Sequence, residues 1–296
     1  MTKRDKVLFY ARKTGYNPSA DRTPRTVIGD LANIVISTDS FYQSGQGSSA
    51  SAAGQQALSK LFDKYRDDAV SYPDRIGVEG ISSYLEDLSV RPDEVVCLGL
   101  MELLNAPTIG ELHRKQFIDG WLHIPPPPGR GSGFAPTCET IPRQEAYAKQ
   151  LRSAIQTDEG TFRKIYRYTF NICRPEGQRN VPAEVATEMW RLFFSPENGG
   201  IDIKSDSGTP WLDWWIEYYE AKVKRPVNKD LWNMFGEMVF KIQEEEAKGV
   251  TTTDGNGYKA GFGWWSEEGA WPGAVDEFVE WVAERRKGAG VGMDVS

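Results

Sequence analysis

Apolar residues recur at helical spacing along most of the chain from Leu58 onward. A face that is apolar at i, i+3, i+4 and i+7 must pack inward, so each such stripe predicts an amphipathic helix. The region from Val95 to Leu104 is so densely apolar that we expect a central, largely buried helix there. The other stripes before a proline-rich break are Leu58, Leu61, Phe62 and Tyr65; Ile81, Tyr84, Leu85 and Leu88; and Phe117, Ile118 and Trp121.

The break, HIPPPPGRGSGFAPTC (123–138), predicts a surface loop, because consecutive prolines and glycines cannot continue a helix. Pro182 and Pro226 mark helix starts, since proline is tolerated in a first helical turn. No run shows the period-two alternation of a strand. The chain therefore predicts an all-α fold, with later helices at about 142–157, 160–174, 182–194, 211–223 and 228–246.

The last helical segment has one apolar and one acidic face within SEEGAWPGAVDEFVEWV (266–282). Pro272 suits its first turn, and its apolar side is formed by Val275, Phe278, Val279 and Val282. The opposite side carries Asp276, Glu277, Glu280 and Glu284. This pattern predicts a helix that packs by its valines and presents its acids either to water or to a partner.

The first part of the chain is less regular. Residues 5–13 could form one short helix, but the two prolines of NPSADRTPRT (17–26) interrupt it. The Gly/Ser/Ala/Gln-rich stretch 43–56 predicts a flexible linker, which places a domain boundary there.

Composition narrows the functional classes. With 296 residues, 40% of them hydrophobic and 26% charged, the chain can bury one or two ordinary cores. Its formal net charge of −7 argues against a nucleic-acid binder, which needs a concentrated basic face. The charged N-terminus contains neither a secretory signal nor a membrane span, so we expect a soluble protein in the cytoplasm, the nucleus or both, without a membrane partner.

Candidate catalytic and metal-binding residues are sparse. The three cysteines (Cys97, Cys138 and Cys173) are far apart, and His113 and His123 are the only histidines. This predicts neither a disulfide framework nor a zinc site. The GRGSG stretch at 129–133 lacks the lysine and Ser/Thr that complete a phosphate loop. We therefore expect no catalytic residues, no metal and no cofactor.

Two neighbouring helix–loop–helix units, at about 58–88 and 92–121, have the outline of an EF-hand pair. A loop that starts at Asp74 has apolar residues at its third, fifth and twelfth positions, where calcium needs oxygen ligands. A loop that starts at Asn105 has Gly110 at the turn but no carboxylate among its ligand positions. We expect the shape of an EF-hand pair without calcium.

A further stretch, TPWLDWWIEYYEAK (209–222), is rich in aromatic residues. Trp211, Trp214, Trp215 and Tyr218 follow helical spacing, which is more often typical of a core than of a ligand cage. We interpret them as core residues.

Five motifs in the chain together resemble the potentiating-neddylation domain of the defective-in-cullin-neddylation family, and most closely a fungal-type member. The resemblance covers about residues 57–284. In chain order the motifs are IGVEGISSYLEDLSVRPDEVVCLGL (76–100), KQFIDGW (115–121), IYRYTFNICRPEGQ (165–178), KDLWNMF (229–235) and EEGAWPGAVDEFVEW (267–281).

The resemblance implies a domain at 57–287, with loop insertions at about 122–140, 199–210 and 247–264 and a flexible tail at 288–296. It implies an EF-hand-like pair followed by a C-terminal helical bundle. It also implies a non-catalytic scaffold that holds a cullin and the neddylation conjugating enzyme together, so that the modifier passes to a cullin lysine. A calcium-responsive EF-hand adaptor is the alternative.

Two binding sites follow from the resemblance. The family's acidic cullin-binding patch corresponds to Asp230, Ala270 and Asp276, which would receive basic side chains of the cullin C-terminal domain. An apolar pocket for the acetylated N-terminal methionine of the conjugating enzyme corresponds to Val78, Ile81, Cys97, Leu100, Met101, Leu104, Leu112 and Ile172. The residues at 104, 112 and 172 are aliphatic where animal members carry phenylalanine.

The segment 1–42 resembles only the first and last pieces of the small ubiquitin-binding domain that often precedes this domain in the family. Its middle supplies too few apolar residues for a second core helix. We expect a degenerate or unfolded segment, which leaves ubiquitin doubtful as a partner.

Overall fold

The computed structural model describes residues 49–124, 138–203, 205, 208–248, 261–266 and 268–291. The expected helix at 5–13 and the ubiquitin-binding-like segment lie outside these ranges. Within them the chain forms ten α-helices: α1 Ser49–Lys64, α2 Val78–Asp87, α3 Val95–Leu103, α4 Arg114–Leu122, α5 Ile141–Thr157, α6 Glu159–Cys173, α7 Ala183–Phe193, α8 Trp211–Tyr218, α9 Lys229–Ala247 and α10 Gly273–Val291.

The all-α prediction is confirmed. The densely apolar segment is the buried helix α3, in which seven of nine residues are buried. The aromatic stripe is core as well: Trp211, Trp215 and Tyr218 are at most 3% exposed, and Trp214 is partly buried against the same cluster. Helix α8 continues into a π-helix, Tyr219–Val223, and a 3₁₀-helix spans Pro196–Asn198.

Two helix ends differ from the sequence-based boundaries. Helix α1 begins at Ser49, inside the segment predicted to be a linker at 43–56. Gly54 is buried there, and a Cβ at this position would lie 3.2 Å from Leu122 of α4. Packing against α4 thus stabilises a helix whose composition alone indicates flexibility. Helix α10 likewise extends to Val291, past the predicted start of the tail at 288.

A small antiparallel sheet joins the two N-terminal helix–loop–helix units. Strand β1, Arg75–Ile76, pairs with β2, Leu112–His113, through the partners Arg75 with His113 and Ile76 with Leu112. Two residues per strand are too few to produce a readable alternation, which is why the sequence pattern did not predict them. The side chains of Ile76 and Leu112 are fully buried, so the sheet ties both loops to the core.

Three aromatic residues lock α6, α7 and α9 together in the C-terminal half. Tyr166 stacks on Trp232 with ring centroids 4.8 Å apart, and its hydroxyl donates to the Trp232 carbonyl at 2.8 Å. The Trp232 indole N–H donates back to the Tyr166 carbonyl, and the Trp190 indole N–H donates to the Tyr166 hydroxyl. All these polar groups are buried and paired, so α9 is held rigidly against α6.

The start of α9 is fixed by two further contacts. Val181 and Val227 exchange backbone hydrogen bonds of 2.9 and 2.8 Å, which anchor the segment before α9 to the segment before α7. The Asn228 side chain then accepts a hydrogen bond from the Leu231 N–H at 2.8 Å and caps the helix. The first exposed turn of α9 therefore has a defined position on the surface.

Helix α10 packs as its pattern predicts. Its four predicted apolar side chains are all fully buried, and Phe278 lies edge-to-face on Trp215 with centroids 5.1 Å apart. The acidic face therefore points away from the core. No helix in the described part of the chain is both long and apolar enough to span a membrane.

Candidate partner-binding surfaces

Asp230 lies in the exposed first turn of α9. It does not cap the helix, because Asn228 already does so. Among the described residues, its carboxylate makes no hydrogen bond and no ion pair, although Arg225 lines the same cleft. An exposed carboxylate on a rigid turn, with no internal task in this part of the chain, is suited to accept a donor from another molecule.

The N-terminus of α10 lies beside Asp230. Pro272, Gly273 and Ala274 line the same small cleft as Asp230 and Asn228. Ala270 is exposed two residues before Pro272, and Asp276 follows in the first turn of α10. The structure thus places the three predicted cullin-binding residues around one helix start.

Asp276 is less exposed than its place on the acidic face of α10 predicts. Its side chain is half-buried, and its Oδ1 accepts a hydrogen bond of 2.8 Å from the Trp265 indole N–H. Trp265 is itself partly buried against the core cluster. The sequence-based prediction of an exposed Asp276 was therefore wrong in degree, because the loop before α10 folds back over the helix and covers one side of the carboxylate.

A groove runs along the acidic face of α10. It has a volume of about 590 Å³, and we call it the α10 groove; its lining is Tyr218, Lys222, Trp265, Asp276, Glu277, Glu280, Trp281 and Glu284. The Tyr218 hydroxyl donates to Glu277 at 3.1 Å. Burial, followed by the nearby Glu277 carboxylate, raises the pKa of Tyr218, so the phenol stays protonated and keeps this donor. The groove combines aromatic walls with carboxylates.

The eight residues predicted for the acetyl-methionine pocket are all buried in one hydrophobic cluster. Val78, at 6%, is the most exposed of them. Their elements meet, since α3 carries Cys97, Leu100 and Met101 and packs on α6, which carries Ile172. The structure therefore brings the eight predicted residues together, but as part of a closely packed core and not as the lining of an open pocket. A peptide side chain could enter only if these side chains moved apart.

The described residues can be compared with the requirements of a metal site and of a cysteine nucleophile. They contain no group of three or more His, Cys, Asp or Glu side chains that could hold a metal ion. The calcium-responsive alternative therefore has no ligand set in this part of the chain. Burial raises the pKa of the Cys97 thiol to about 12, so this cysteine is not a thiolate at neutral pH.

Two contacts of the α10 groove were missed in the sequence. Trp265 and Asp276 are eleven residues apart, with an irregular segment between them, and no periodicity connects them. Tyr218 and Glu277 are separated by 59 residues. The only signal in the sequence is the pair Trp264 and Trp265, which stands shortly before an acidic helix.

Comparison with known proteins gives a consistent result. The family model described as "Cullin binding" matches residues 143–281. The chain is similar to "Defective in cullin neddylation protein 1" of Pyricularia oryzae, at 30% identity over 268 residues, which cover 88% of this chain and 86% of that protein.

Two further relatives span different lineages. The protein of the same name from Yarrowia lipolytica is 29% identical over 227 residues, which cover 76% of this chain and 78% of that protein. Human "DCN1-like protein 3" is 30% identical over 249 residues, which cover 83% of this chain and 68% of that protein. In each case the similarity extends well beyond the C-terminal half matched by the family model.

Proposed function

The chain belongs to the defective-in-cullin-neddylation family of cullin-binding proteins, and from this premise we propose that it is a non-catalytic scaffold that bridges a cullin and the neddylation conjugating enzyme. The membership gives the chain a role in cullin neddylation. The bridging step is the part we propose. Holding the loaded enzyme near its target lysine raises the transfer rate without new chemistry, because a bimolecular encounter becomes nearly intramolecular.

One observation carries the cullin half of the proposal. Asp230 and Asp276 lie around the start of α10; the cap of α9 fixes the backbone that carries Asp230, and a hydrogen bond from Trp265 fixes the Asp276 carboxylate. Asn228 caps the helix in place of Asp230, and Trp265 orients Asp276. The oriented carboxylate of Asp276 loses little side-chain entropy on binding, and both carboxylates can accept charge-assisted hydrogen bonds from lysine or arginine. Ala270, exposed three residues before the start of α10, has a small side chain that leaves room for close approach of the partner.

The conjugating-enzyme half rests on the buried cluster around α3. An acetylated methionine is apolar and uncharged at its amine, so it could replace protein contacts in such a cluster, whereas a free ammonium would be costly to desolvate. Because the cluster is closed, binding must be coupled to opening of these side chains. This predicts slower association than for a preformed pocket.

The cullin site is tested by calorimetric titration of the full chain with a cullin C-terminal domain. We expect Asp230→Lys to reduce affinity by about a hundredfold or more, because it replaces an acceptor with a like charge facing the partner. The thermal midpoint should fall only slightly, because Asp230 makes no hydrogen bond or ion pair among the described residues and its interaction with the helix dipole is worth about 1 kcal/mol or less. Asp213→Lys, the same charge reversal at an exposed position in the first turn of α8, is the matched control. Unchanged cullin affinity in folded Asp230→Lys would contradict the assignment.

The second site is tested without changing the chain, because a charged substitution of a fully buried residue such as Leu104 would unfold it. Methyl NMR of the methionines can follow titration with acetylated and free-amine peptides of the enzyme's N-terminus. We expect the Met101 methyl signal to shift with the acetylated peptide only. Met238, buried in the C-terminal core, should not shift and is the internal control. Equal response to both peptides, or to neither, would contradict the pocket.

A further inference from the structure

The residues of α10 that line the groove form two rows. Asp276, Glu280 and Glu284 are spaced four residues apart, and so lie along one line of the helix; Glu277 and Trp281 form the neighbouring line. The three glutamates are exposed, whereas Trp281 is half-buried. Asp276 belongs both to this groove and to the proposed cullin site. The groove therefore continues that site along α10 for two helical turns.

The groove is more than a row of acids, because aromatic rings form part of its wall. Trp265, Trp281 and Tyr218 all line it, and Tyr218 and Trp281 have ring centroids 6.0 Å apart. Such a surface accepts the long methylene stem of a lysine or arginine while the carboxylates receive its charged head. The molecule itself shows the chemistry: the Arg285 guanidinium lies 4.9 Å from the Trp281 ring centroid and pairs with Glu217 at 2.6 Å.

Lys222 is a cation of the chain that lines this groove directly. It lies in the π-helix that follows α8, four residues after Tyr218. Its side chain is exposed and makes no ion pair among the described residues. A wider helical turn of this kind often marks a functional position, and here it brings a lysine opposite α10. Lys222 lowers the negative potential of the groove and therefore weakens the attraction for a second cation.

We propose that the α10 groove is a second cullin contact, which binds a lysine or arginine side chain of the cullin domain between Trp265 and Trp281, and that Lys222 opposes this binding. The inference rests on the proposed function, since it assigns the occupant through continuity with the surface around Asp230 and Asp276. The charge is complementary: four carboxylates and one ammonium line the groove. Recognition of this kind acts mainly on association rate and salt dependence.

The test is calorimetric titration of the full chain with a cullin C-terminal domain at two salt concentrations. The double variant Glu280→Gln/Glu284→Gln should weaken binding about three- to tenfold at low salt and less at high salt, because exposed charge pairs are screened. Lys222→Ala should strengthen binding about two- to threefold at low salt. Glu79→Gln/Glu86→Gln, which removes two exposed carboxylates of α2, is the charge-matched control and should change nothing.

The possible results distinguish a failure of the groove proposal from a failure of the proposed function. If Glu280→Gln/Glu284→Gln binds the cullin domain as tightly as the α2 control does, while Asp230→Asn still weakens binding, the α10 groove is not a cullin contact. The cullin site around Asp230 then remains supported. Absence of binding by the unaltered chain overturns both. Weakening by the double variant together with tighter binding by Lys222→Ala supports the groove, whereas weaker binding by Lys222→Ala would contradict the opposing role of this lysine.

Discussion

The indole N–H of Trp265 donates a hydrogen bond of 2.8 Å to Oδ1 of Asp276. This contact fixes one oxygen of a carboxylate in the first turn of α10 and leaves the side chain half-exposed. Trp265 is thus a positioning residue for the proposed cullin site: it holds Asp276 in one orientation before a partner arrives, which lowers the entropy lost on binding.

Trp265→Phe should test this role by removing the N–H while keeping most of the ring. We expect cullin affinity to fall about two- to tenfold, which is the range of one lost hydrogen bond. Trp264→Phe is the matched control, because the Trp264 indole N–H donates instead to the Gly261 carbonyl at 3.0 Å. Equal cullin affinity of the two variants, measured calorimetrically, would contradict a positioning role for Trp265.

Asn228 and Asp230 are two residues apart but have separate tasks. Asn228→Ala removes the cap of α9 and should lower the free energy of unfolding by about 1 kcal/mol. Asp230→Asn should lower the free energy of unfolding by less than about 0.5 kcal/mol, through the lost helix-dipole interaction, and should weaken cullin binding. Denaturant unfolding and calorimetry on both variants would show this double dissociation. A larger loss of stability in Asp230→Asn would mean that the aspartate has a structural task.

Helix positions could be predicted well from the sequence, because an amphipathic pattern is local. The stripe from Val275 to Val282 predicted the buried face of α10, and the apolar run from Val95 predicted a buried α3. The start of α1 at Ser49 could not be predicted, since it depends on packing against α4, which is distant in sequence.

The candidate site was predictable in its residues but not in its arrangement. The resemblance identified Asp230, Ala270 and Asp276, and the structure places them around one helix start. The half-burial of Asp276 depends on an irregular loop whose path is set by tertiary contacts, including the Trp264 and Trp271 rings, whose centroids are 4.6 Å apart. Propensity and periodicity carry no information about such a path.

Gly80 is required by the close approach of α2 to the end of α1. A Cβ at this position would lie 1.8 Å from the Tyr65 carbonyl oxygen. Gly80→Ala should therefore lower the free energy of unfolding by about 3 kcal/mol or more, because backbone must move. Gly288→Ala, in α10 with nothing within 4 Å of its Cβ, should instead stabilise by about 0.5 kcal/mol. Denaturant unfolding would measure both changes.

An equal change in the free energy of unfolding for Gly80→Ala and Gly288→Ala would contradict the packing described for α2. The comparison also bears on function, because α2 carries Val78 and Ile81 of the predicted acetyl-methionine pocket. A displaced α2 should therefore lose the response to the acetylated peptide while cullin binding by α9 and α10 persists.

Asp158 caps α6 and gives a pH-dependent prediction. Hydrogen bonds from the Thr161 hydroxyl and then from the Thr161 N–H lower the pKa of Asp158. A lowered pKa in the folded state means that the stabilisation is present above the ordinary pKa of about 4 and is lost as the pH falls through the folded value. Asp158→Ala should therefore be less stable than the unaltered chain at pH 7, with the difference shrinking below about pH 4.

Asp158→Ser separates the cap from its charge. Serine accepts the same N–H bond but does not titrate, so its stability difference from Asp158→Ala should not depend on pH. Thermal unfolding across pH 2.5–7, a range chosen to bracket the carboxylate pKa, would measure all three proteins. A constant gap between Asp158→Ala and the unaltered chain would contradict the charge-dependent part of the cap.

In the proposed function, one molecule of this chain holds a cullin and an acetylated conjugating enzyme at the same time. The most direct measurement is the single-turnover rate of modifier transfer to the cullin lysine, with the enzyme either acetylated or free at its N-terminus. We predict that the chain raises the rate about tenfold or more with the acetylated enzyme, and that it has no effect with the free amine or when it carries Asp230→Lys. Equal stimulation of both enzyme forms, or full stimulation by Asp230→Lys, would contradict the bridge.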